Sequence, residues 1–147
     1  MDLKLEVVVL PVSDVDRSKK FYEQLGWRQD ADFASGDRRV VQFTPPGSDA
    51  SIHFGKGLTP APPGSSKNVY LVAFDVEAAR AELVRRGIAV SEVSHRDAPL
   101  GDPLPGADRE HKSYSSFASF ADPDGNTFLI QELRQRLPGR GSVPPRA

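Results

Sequence analysis

Residues 118–133 read A-S-F-A-D-P-D-G-N-T-F-L-I-Q-E-L, a tight turn at 122–126 followed by a strand at 127–133. Proline presets one turn dihedral, glycine and asparagine tolerate positive φ, and aspartate side chains hold the backbone of such a bend. Apolar residues on both sides of the turn predict a buried hairpin. They are Phe117, Phe120, Phe128, Leu129 and Ile130. Taken alone, this stretch is a plain β-hairpin, and the rest of the chain decides whether it means more.

The composition bounds the classes of protein to consider. A length of 147 residues suits one compact domain, or two very small modules that share a core. Hydrophobic residues make up 38% and charged residues 27%, which predicts a globular cytoplasmic protein. The net charge of −1 provides no basic field for nucleic acid or for a membrane surface. Without cysteine, the chain has no disulfide, thiolate metal site or cysteine nucleophile.

The chain contains an internal repeat at an offset of 61 residues. A predicted helix N-cap, Asp14, corresponds to Asp75, and a predicted helix stop, Gly26, corresponds to Gly87. A constant offset across a cap and a stop is evidence for duplication. The first copy is predicted to contain strands at 5–12 (buried on both faces), 39–44 and 51–54, with a helix from Val15; the second copy has a strand at 68–74, a helix at 76–86 and a strand at 88–93.

We therefore predict two βαβββ modules in tandem within a single domain at 1–135. Module one spans 3–57, a Pro- and Gly-rich linker spans 58–67, and module two spans 68–134. Module two carries an insertion at 94–116, a length typical of a lid, a binding loop or a partly disordered segment. Residues 135–147 are predicted to be a flexible tail.

The motifs resemble those of the vicinal oxygen chelate superfamily. The matching residues are V-S-D-V-D-R-S at 12–18, F-Y at 21–22, L-G at 25–26 and F-A-D-P-D-G-N at 120–126. That superfamily holds glyoxalase I, extradiol dioxygenases, methylmalonyl-CoA epimerase and the bleomycin- and fosfomycin-resistance proteins. The resemblance covers about 3–134 and implies an α+β fold whose mixed, curved sheets form an incomplete barrel around a cavity. Because the motifs are caps and turns, they specify the fold far better than a reaction.

The resemblance also implies where a divalent metal would bind. Each module of the family's enzymes contributes two inward ligands, which correspond here to Val7, His53, Asn68 and Leu129. Only His53 is a good ligand, because valine and leucine have no donor atom and an amide is a poor substitute for imidazole or carboxylate. We predict no cofactor, and interpret His53 as a hydrogen-bonded cavity histidine. A metal remains the alternative, held by His53 with Gln131 in a shifted register or with Glu132 if the last strand has a bulge.

The predicted cavity has an apolar wall with a few polar groups, as small-molecule pockets do. The candidate ligand-binding residues are His53, Asn68, Tyr70, Leu129 and Gln131, with Tyr114 or His111 closing the pocket from the insertion. His53 as a base and Tyr70 as an acid is one catalytic pairing, but no catalytic residue is assigned. His95 and His111 flank the insertion and are interpreted as loop residues, with joint metal binding as the alternative.

Three functions remain open from the sequence. The first is a metal-free small-molecule binding protein, similar in logic to antibiotic-sequestering resistance proteins. The second is a lyase, isomerase or dioxygenase with a shifted or metal-free site. The third is a structural or regulatory domain whose side chains fill the cavity. The resemblance also implies a homodimer, and neither nucleic acid nor a membrane is an expected partner.

Overall fold

The computed structural model describes residues 1–137, which form two helices and nine strands in two mixed sheets. The first half of the chain contains β1 (Val7–Val9), α1 (Val15–Gln24), β2 (Arg28–Ser35), β3 (Arg38–Thr44) and β4 (Ser51–Lys56). The second half contains β5 (Val69–Ala73), α2 (Val76–Arg85), β6 (Ser94–His95), β7 (Leu104–Pro105), β8 (Ser116–Ala121) and β9 (Thr127–Glu132). This arrangement confirms the predicted α+β class. The predicted flexible tail lies outside the described residues from position 138 onward.

The chain divides into two compact units. The first comprises Met1–Asn68, Arg86–Ile88 and Ala121–Thr127. The second comprises Val69–Arg85, Ala89–Phe120 and, among the described residues, 128–137. The turn at 122–126 therefore belongs to the first unit, although it follows β8 in the sequence.

The first sheet has the strand order β1-β4-β3-β2, with β1 and β4 parallel and the other pairs antiparallel. One of its faces is covered by α1, whose Tyr22 is fully buried and stacks on Phe54 at 5.2 Å between ring centroids. Val41, Phe43 and Ile52 complete this buried face. Because side chains alternate along a strand, the residues between these core positions point to the opposite face of the sheet.

The second sheet has the order β5-β9-β8-β6-β7, which repeats the order of the first sheet and adds β7 from the insertion. The repeat extends to strand register: Val9 lies opposite His53, and Tyr70, 61 residues after Val9, lies opposite Leu129. The apolar face includes Ala118, Phe120, Phe128 and Ile130, with Phe120 and Phe128 stacked at 5.0 Å.

Both helices begin and end as predicted. The side chain of Asp14 accepts a hydrogen bond from the backbone N–H of Arg17 at 3.1 Å, and Asp75 accepts one from Ala78 at 3.0 Å. The chain leaves α1 and α2 through Gly26 and Gly87, whose φ angles of 81° and 83° are costly for any residue with a Cβ.

Two of the predicted strands are wrong. The first strand spans three residues, Val7–Val9, instead of 5–12, and it is not buried on both faces, because Val9 is 39% and Leu5 70% exposed. The predicted strand at 88–93 is reduced to an isolated bridge between Val90 and Phe120. Beside that bridge, the Ser91 hydroxyl accepts from the backbone N–H of Ser119, so a side chain replaces the carbonyl that a regular ladder would use.

The side chains of the D-P-D-G-N turn form a network of hydrogen bonds within the first unit. The Asp122 carboxylate accepts from the backbone N–H groups of Asp124 and Asn126, from the Asn126 amide and from the Tyr22 hydroxyl, at 2.8–3.0 Å. The Asn126 amide also donates to the carbonyl of Pro11 at 2.8 Å. Burial, followed by the nearby charge of Asp122, raises the pKa of Tyr22 well above its ordinary value. The two halves of the sequence motif, at 12–22 and 120–126, therefore contact each other directly.

Candidate functional site

The open face of the first sheet carries a line of polar side chains among hydrocarbon neighbours. His53 on β4 lies between Val9 on β1 and Gln42 on β3, and Ser51 lies opposite Val7. These residues alternate with the buried face described above. The sheet therefore places a histidine on a surface that α1 leaves uncovered.

His53 begins a chain of hydrogen bonds that crosses three strands. Its Nε2 lies 2.7 Å from Oε1 of Gln42, whose Nε2 lies 3.3 Å from the Asp30 carboxylate and 3.4 Å from the Ser51 hydroxyl. The Ser51 and Thr44 hydroxyls lie 2.6 Å apart, and Thr44 donates to Asp30. We call these five residues, His53, Gln42, Ser51, Thr44 and Asp30, the His53 relay.

Asp30 reaches this relay because β2 has a bulge at that position. The register shifts between Gln29 and Ala31, so Asp30 is an extra residue next to Thr44 and Gln42. The Thr44 hydroxyl, and after it the Arg28 guanidinium at 2.6 Å, hold the pKa of Asp30 below its usual range. Asp30 is therefore a carboxylate at neutral pH, and a carboxylate only accepts hydrogen bonds.

The charge on Asp30 sets the direction of every bond in the relay. Gln42 must turn its NH₂ group toward Asp30 and Ser51, because its carbonyl oxygen would face the carboxylate oxygen unfavourably. Its carbonyl oxygen then faces His53, which must donate from Nε2. In a neutral imidazole the proton on Nε2 leaves Nδ1 as a hydrogen-bond acceptor.

That acceptor is accessible. Within residues 1–137 no hydrogen bond to Nδ1 of His53 is formed, and Nδ1 is not among the buried polar atoms that lack a partner there, so it is open to solvent. The first unit thus presents an oriented lone pair near Val7 and Val9. Such a group can anchor a ligand that donates a proton, or accept the proton itself.

Asn68 does not occupy the predicted strand position. It lies just before β5, is exposed and has a φ of 57°, a left-handed conformation that asparagine tolerates better than most residues. Its backbone N–H donates to the Thr127 hydroxyl at 2.7 Å. These contacts describe a turn residue, so the prediction that Asn68 lies within an inward-facing strand is wrong.

The second unit brings together the other four candidate residues. Tyr70 lies opposite Leu129, and Val72 lies opposite Gln131. The Gln131 amide donates to the carbonyl of Tyr114 at 3.3 Å, and the Tyr114 hydroxyl accepts from the backbone of Leu137 at 3.0 Å. Tyr114 thus holds the end of the insertion against β9. Tyr70 is 59% exposed, and up to residue 137 no group of the unit hydrogen-bonds to its hydroxyl and orients it as an acid.

Glu132, the alternative metal ligand, points to the other face of β9. It is fully buried, and its Oε1 accepts from the backbone N–H of Val76 at the start of α2 at 3.1 Å. Its Oε2 lies 3.1 Å from Nδ1 of His111. No bulge brings the carboxylate to the Leu129 face, so its role is to cap α2 and hold His111, which has a φ of 53°.

The residues at the expected metal positions do not fit a divalent cation. One imidazole, one amide and two hydrocarbon side chains stand at Val7, His53, Asn68 and Leu129. Across residues 1–137, no cluster of three or more His, Asp or Glu side chains could hold a metal ion. His95, the third histidine, lies with Nδ1 2.8 Å from the carbonyl of Gly106 within the insertion.

A separate concave surface of about 510 Å³ lies within the second unit. Its lining includes Glu77, Glu92, Pro103, Leu104 and Pro105, and Arg80 neutralises Glu92 at 3.4 Å. None of the candidate residues from the sequence lines it. It is open and lacks the convergent polar groups of a ligand site.

The fold and the site define a class of protein in which paired βαβββ units bear a polar group on the open face of a sheet. A family model, the Glyoxalase/Bleomycin resistance protein/Dioxygenase superfamily, matches residues 4–130. The chain belongs to this superfamily, as the sequence motifs predicted. A comparison with curated proteins gave no match. Neither helix within residues 1–137 is long and apolar enough to cross a membrane.

Several solved structures are similar to the chain. The antibiotic binding protein TnmS3 from Streptomyces sp. CB03234 is 30% identical, with a TM-score of 0.68, over 90% of this chain and 98% of that protein. A glyoxalase/bleomycin resistance protein from the same organism is 32% identical, with a TM-score of 0.64, over 88% and 100% of the two chains. A superfamily member from Sphaerobacter thermophilus, at 24% identity and a TM-score of 0.67 over 89% and 98%, shares the fold.

Proposed function

We propose that this protein binds a small organic molecule without a metal ion, and that His53 is the polar anchor of the site. The observation that carries the proposal is the His53 relay, which ends in an accessible acceptor next to the hydrocarbon side chain of Val9. A few oriented polar groups on an apolar surface are typical of small-molecule sites. The 30% identity to a protein described as antibiotic binding supports this class of ligand.

The same lone pair favours one enzymatic alternative. An imidazole with a free Nδ1 and a fixed Nε2 proton can remove a proton from a bound substrate, as a lyase or isomerase requires. The carbonyl oxygen of Gln42, which accepts from Nε2, would stabilise the imidazolium that forms. Turnover of a bound compound that is lost in His53→Ala would favour this alternative over simple binding.

The proposal is tested by thermal unfolding of the full chain against a library of antibiotics and metabolites, and separately against Ni²⁺, Mn²⁺, Fe²⁺ and Zn²⁺. A ligand at one hundred times its Kd stabilises the folded state by about 2.7 kcal/mol, which raises the melting temperature by several degrees. We expect such a shift from at least one organic compound, and expect His53→Ala to remove most of it.

The matched control is His95→Ala, which removes a histidine of the insertion and should leave the shift intact. Elemental analysis of protein purified without chelator completes the test. Stoichiometric bound metal that disappears in His53→Ala would contradict the metal-free proposal. A library without a single stabilising compound would favour the structural or regulatory alternative.

We also propose that two copies of the chain associate. Strand β5 is an edge of the second sheet; its Tyr70 and Val72, and Phe74 directly after it, are 59%, 52% and 67% exposed. A contiguous apolar stripe of this kind is typical of an interaction surface. Phe74 is partly covered by the Arg134 guanidinium at 4.5 Å, which keeps the stripe compatible with water.

A further inference from the structure

The His53 relay indicates which chemical group of a ligand would hydrogen-bond to His53. The inference drawn from it rests on the proposed function. We infer that the site selects an apolar molecule bearing a hydroxyl group, such as a phenol or enol, which donates its proton to Nδ1 of His53. A ketone, an ether or another group that only accepts hydrogen bonds would meet the lone pair without a partner.

First, the Asp30 carboxylate sets the donor and acceptor roles along the whole relay. Each member of the relay has its donors and acceptors assigned by the one next to it, starting from a carboxylate that can only accept. Thr44 gives its single proton to Asp30 and so accepts from Ser51, which in turn accepts from Gln42. Thr44 and Ser51 are 4% and 7% exposed, so the bond between their hydroxyls is shielded from water, whereas Asp30 lies at the exposed end of the relay.

The second step is the contrast with the other two histidines of the chain. His95 faces a backbone carbonyl and His111 a buried carboxylate, in both cases through Nδ1. Both acceptors require a proton on Nδ1. His53 instead faces the Gln42 carbonyl through Nε2, so among the three histidines of the chain it is the one that keeps Nδ1 as an acceptor.

The third step concerns the skeleton of the ligand. Val7 and Val9 on β1 adjoin Ser51 and His53, and Phe33 on β2, which pairs with Val40 on the same face of the sheet, is 69% exposed. Hydrocarbon and aromatic side chains on the face that bears this acceptor favour a neutral apolar body over a charged one. A hydroxylated aromatic compound meets both requirements.

The tautomers are measured by long-range ¹H–¹⁵N NMR on the full-length protein at a pH where the histidines are neutral. We expect His53 to carry its proton on Nε2, and His95 and His111 to carry theirs on Nδ1. The replacement Gln42→Met should release His53 into a mixture of tautomers, and the matched control Gln29→Met, on exposed β2, should not. A neutral His53 with its proton on Nδ1 in the unaltered protein would overturn the inference.

Selectivity is measured by titration with 2-naphthol and its methyl ether, 2-methoxynaphthalene, which differ in the hydroxyl proton. Loss of one buried hydrogen bond predicts about tenfold weaker binding of the ether. His53→Phe should bring the two affinities together, and Gln42→Met should reduce the preference while Gln29→Met preserves it.

The outcomes separate this inference from the function on which it rests. If both probes bind equally and the library still yields a ligand that depends on His53, hydroxyl selection is wrong and small-molecule binding stands. If neither probe binds and no library compound stabilises the protein, both proposals fail. A preference for the naphthol that persists in His53→Phe would also overturn the inference, because another group would then receive the proton.

Discussion

At the scale of single residues, the neighbours of His53 decide which of its two ring nitrogens can accept a hydrogen bond. A lone histidine can donate or accept from either nitrogen. Gln42 removes that choice, because its amide is itself oriented by Asp30. The residue that sets the position of the proton on His53 is therefore Asp30, which acts through Gln42.

Acid stability should report the state of this carboxylate. Because the pKa of Asp30 is lowered on folding, its contribution to stability is complete above its ordinary pKa of about 3.9 and is lost as pH falls through the lowered value. Asp32, which accepts three hydrogen bonds from Arg39 and Lys19, has its pKa lowered further and should contribute more. Urea unfolding between pH 7 and 2 should show a shallower acid dependence in Asp30→Asn, and a still shallower one in Asp32→Asn.

The control for these variants is Asp37→Asn, in the exposed turn between β2 and β3. It should unfold with the same acid dependence as the unaltered protein. An acid dependence that neither Asp30→Asn nor Asp32→Asn changes would show that the hydrogen bonds to these carboxylates do not contribute to folding.

At the scale of secondary-structure elements, the D-P-D-G-N turn joins more than two strands. Its Asp122 binds the hydroxyl of Tyr22 on α1, and its Asn126 binds the carbonyl of Pro11 after β1. Asp124 accepts from the backbone and side chain of Ser13, directly before the α1 cap. The motif marks the fold because it holds the start of α1 inside the first unit.

Removing one of these bonds should therefore destabilise the protein without touching the ligand site. Tyr22→Phe leaves the ring in the core and deletes only the hydroxyl that Asp122 accepts from. We expect a loss of about 1–2 kcal/mol in the free energy of unfolding, measured in urea.

Tyr70→Phe provides the matched control, because that tyrosine is 59% exposed and its hydroxyl has no partner in the described chain. Its unfolding free energy should stay within about 0.5 kcal/mol of the unaltered value. Equal losses in the two variants would mean that the buried hydroxyl contributes nothing beyond an exposed one.

At the scale of the whole molecule, the two sheets have the same order of corresponding strands but carry different side chains at corresponding positions. The first unit carries the His53 relay, whereas the equivalent position in the second unit is Leu129 opposite the exposed Tyr70. One unit thus bears a network of polar side chains, and the other bears exposed apolar surface. This asymmetry is consistent with both the proposed binding site and the proposed association.

Association is tested by placing a charge in the middle of the exposed stripe formed by Tyr70, Val72 and Phe74. Val72→Lys places a charge among Tyr70 and Phe74, and should convert a dimer into a monomer in light scattering coupled to gel filtration. Val84→Lys, a valine of similar exposure at 46% on α2, should leave the dimer intact. A monomeric mass for the unaltered protein at micromolar concentration would contradict the proposal.

Local signals were enough for much of the fold. The caps at Asp14 and Asp75, the stops at Gly26 and Gly87, and the turn at 122–126 all follow from short-range chemistry and were confirmed. The prediction of a strand at 88–93 was wrong, because the Ser91 hydroxyl takes the place of a backbone carbonyl in accepting from Ser119. A pattern of apolar residues does not reveal such a replacement. His53 was identified from the sequence as a hydrogen-bonded histidine, and Gln42 is its partner.

The rest of the site depended on register. Gln42 is a polar residue between Val41 and Phe43, and that alternation alone could have placed it on the open face with His53. Asp30 could not be placed in this way, because a bulge shifts β2 by one residue and alternation fails there. The sequence by itself determined the family and most of the elements, and it predicts a poor metal site. Only the tertiary structure decided which nitrogen of His53 carries the proton and which accepts a hydrogen bond, because that depends on which side chains meet across the strands.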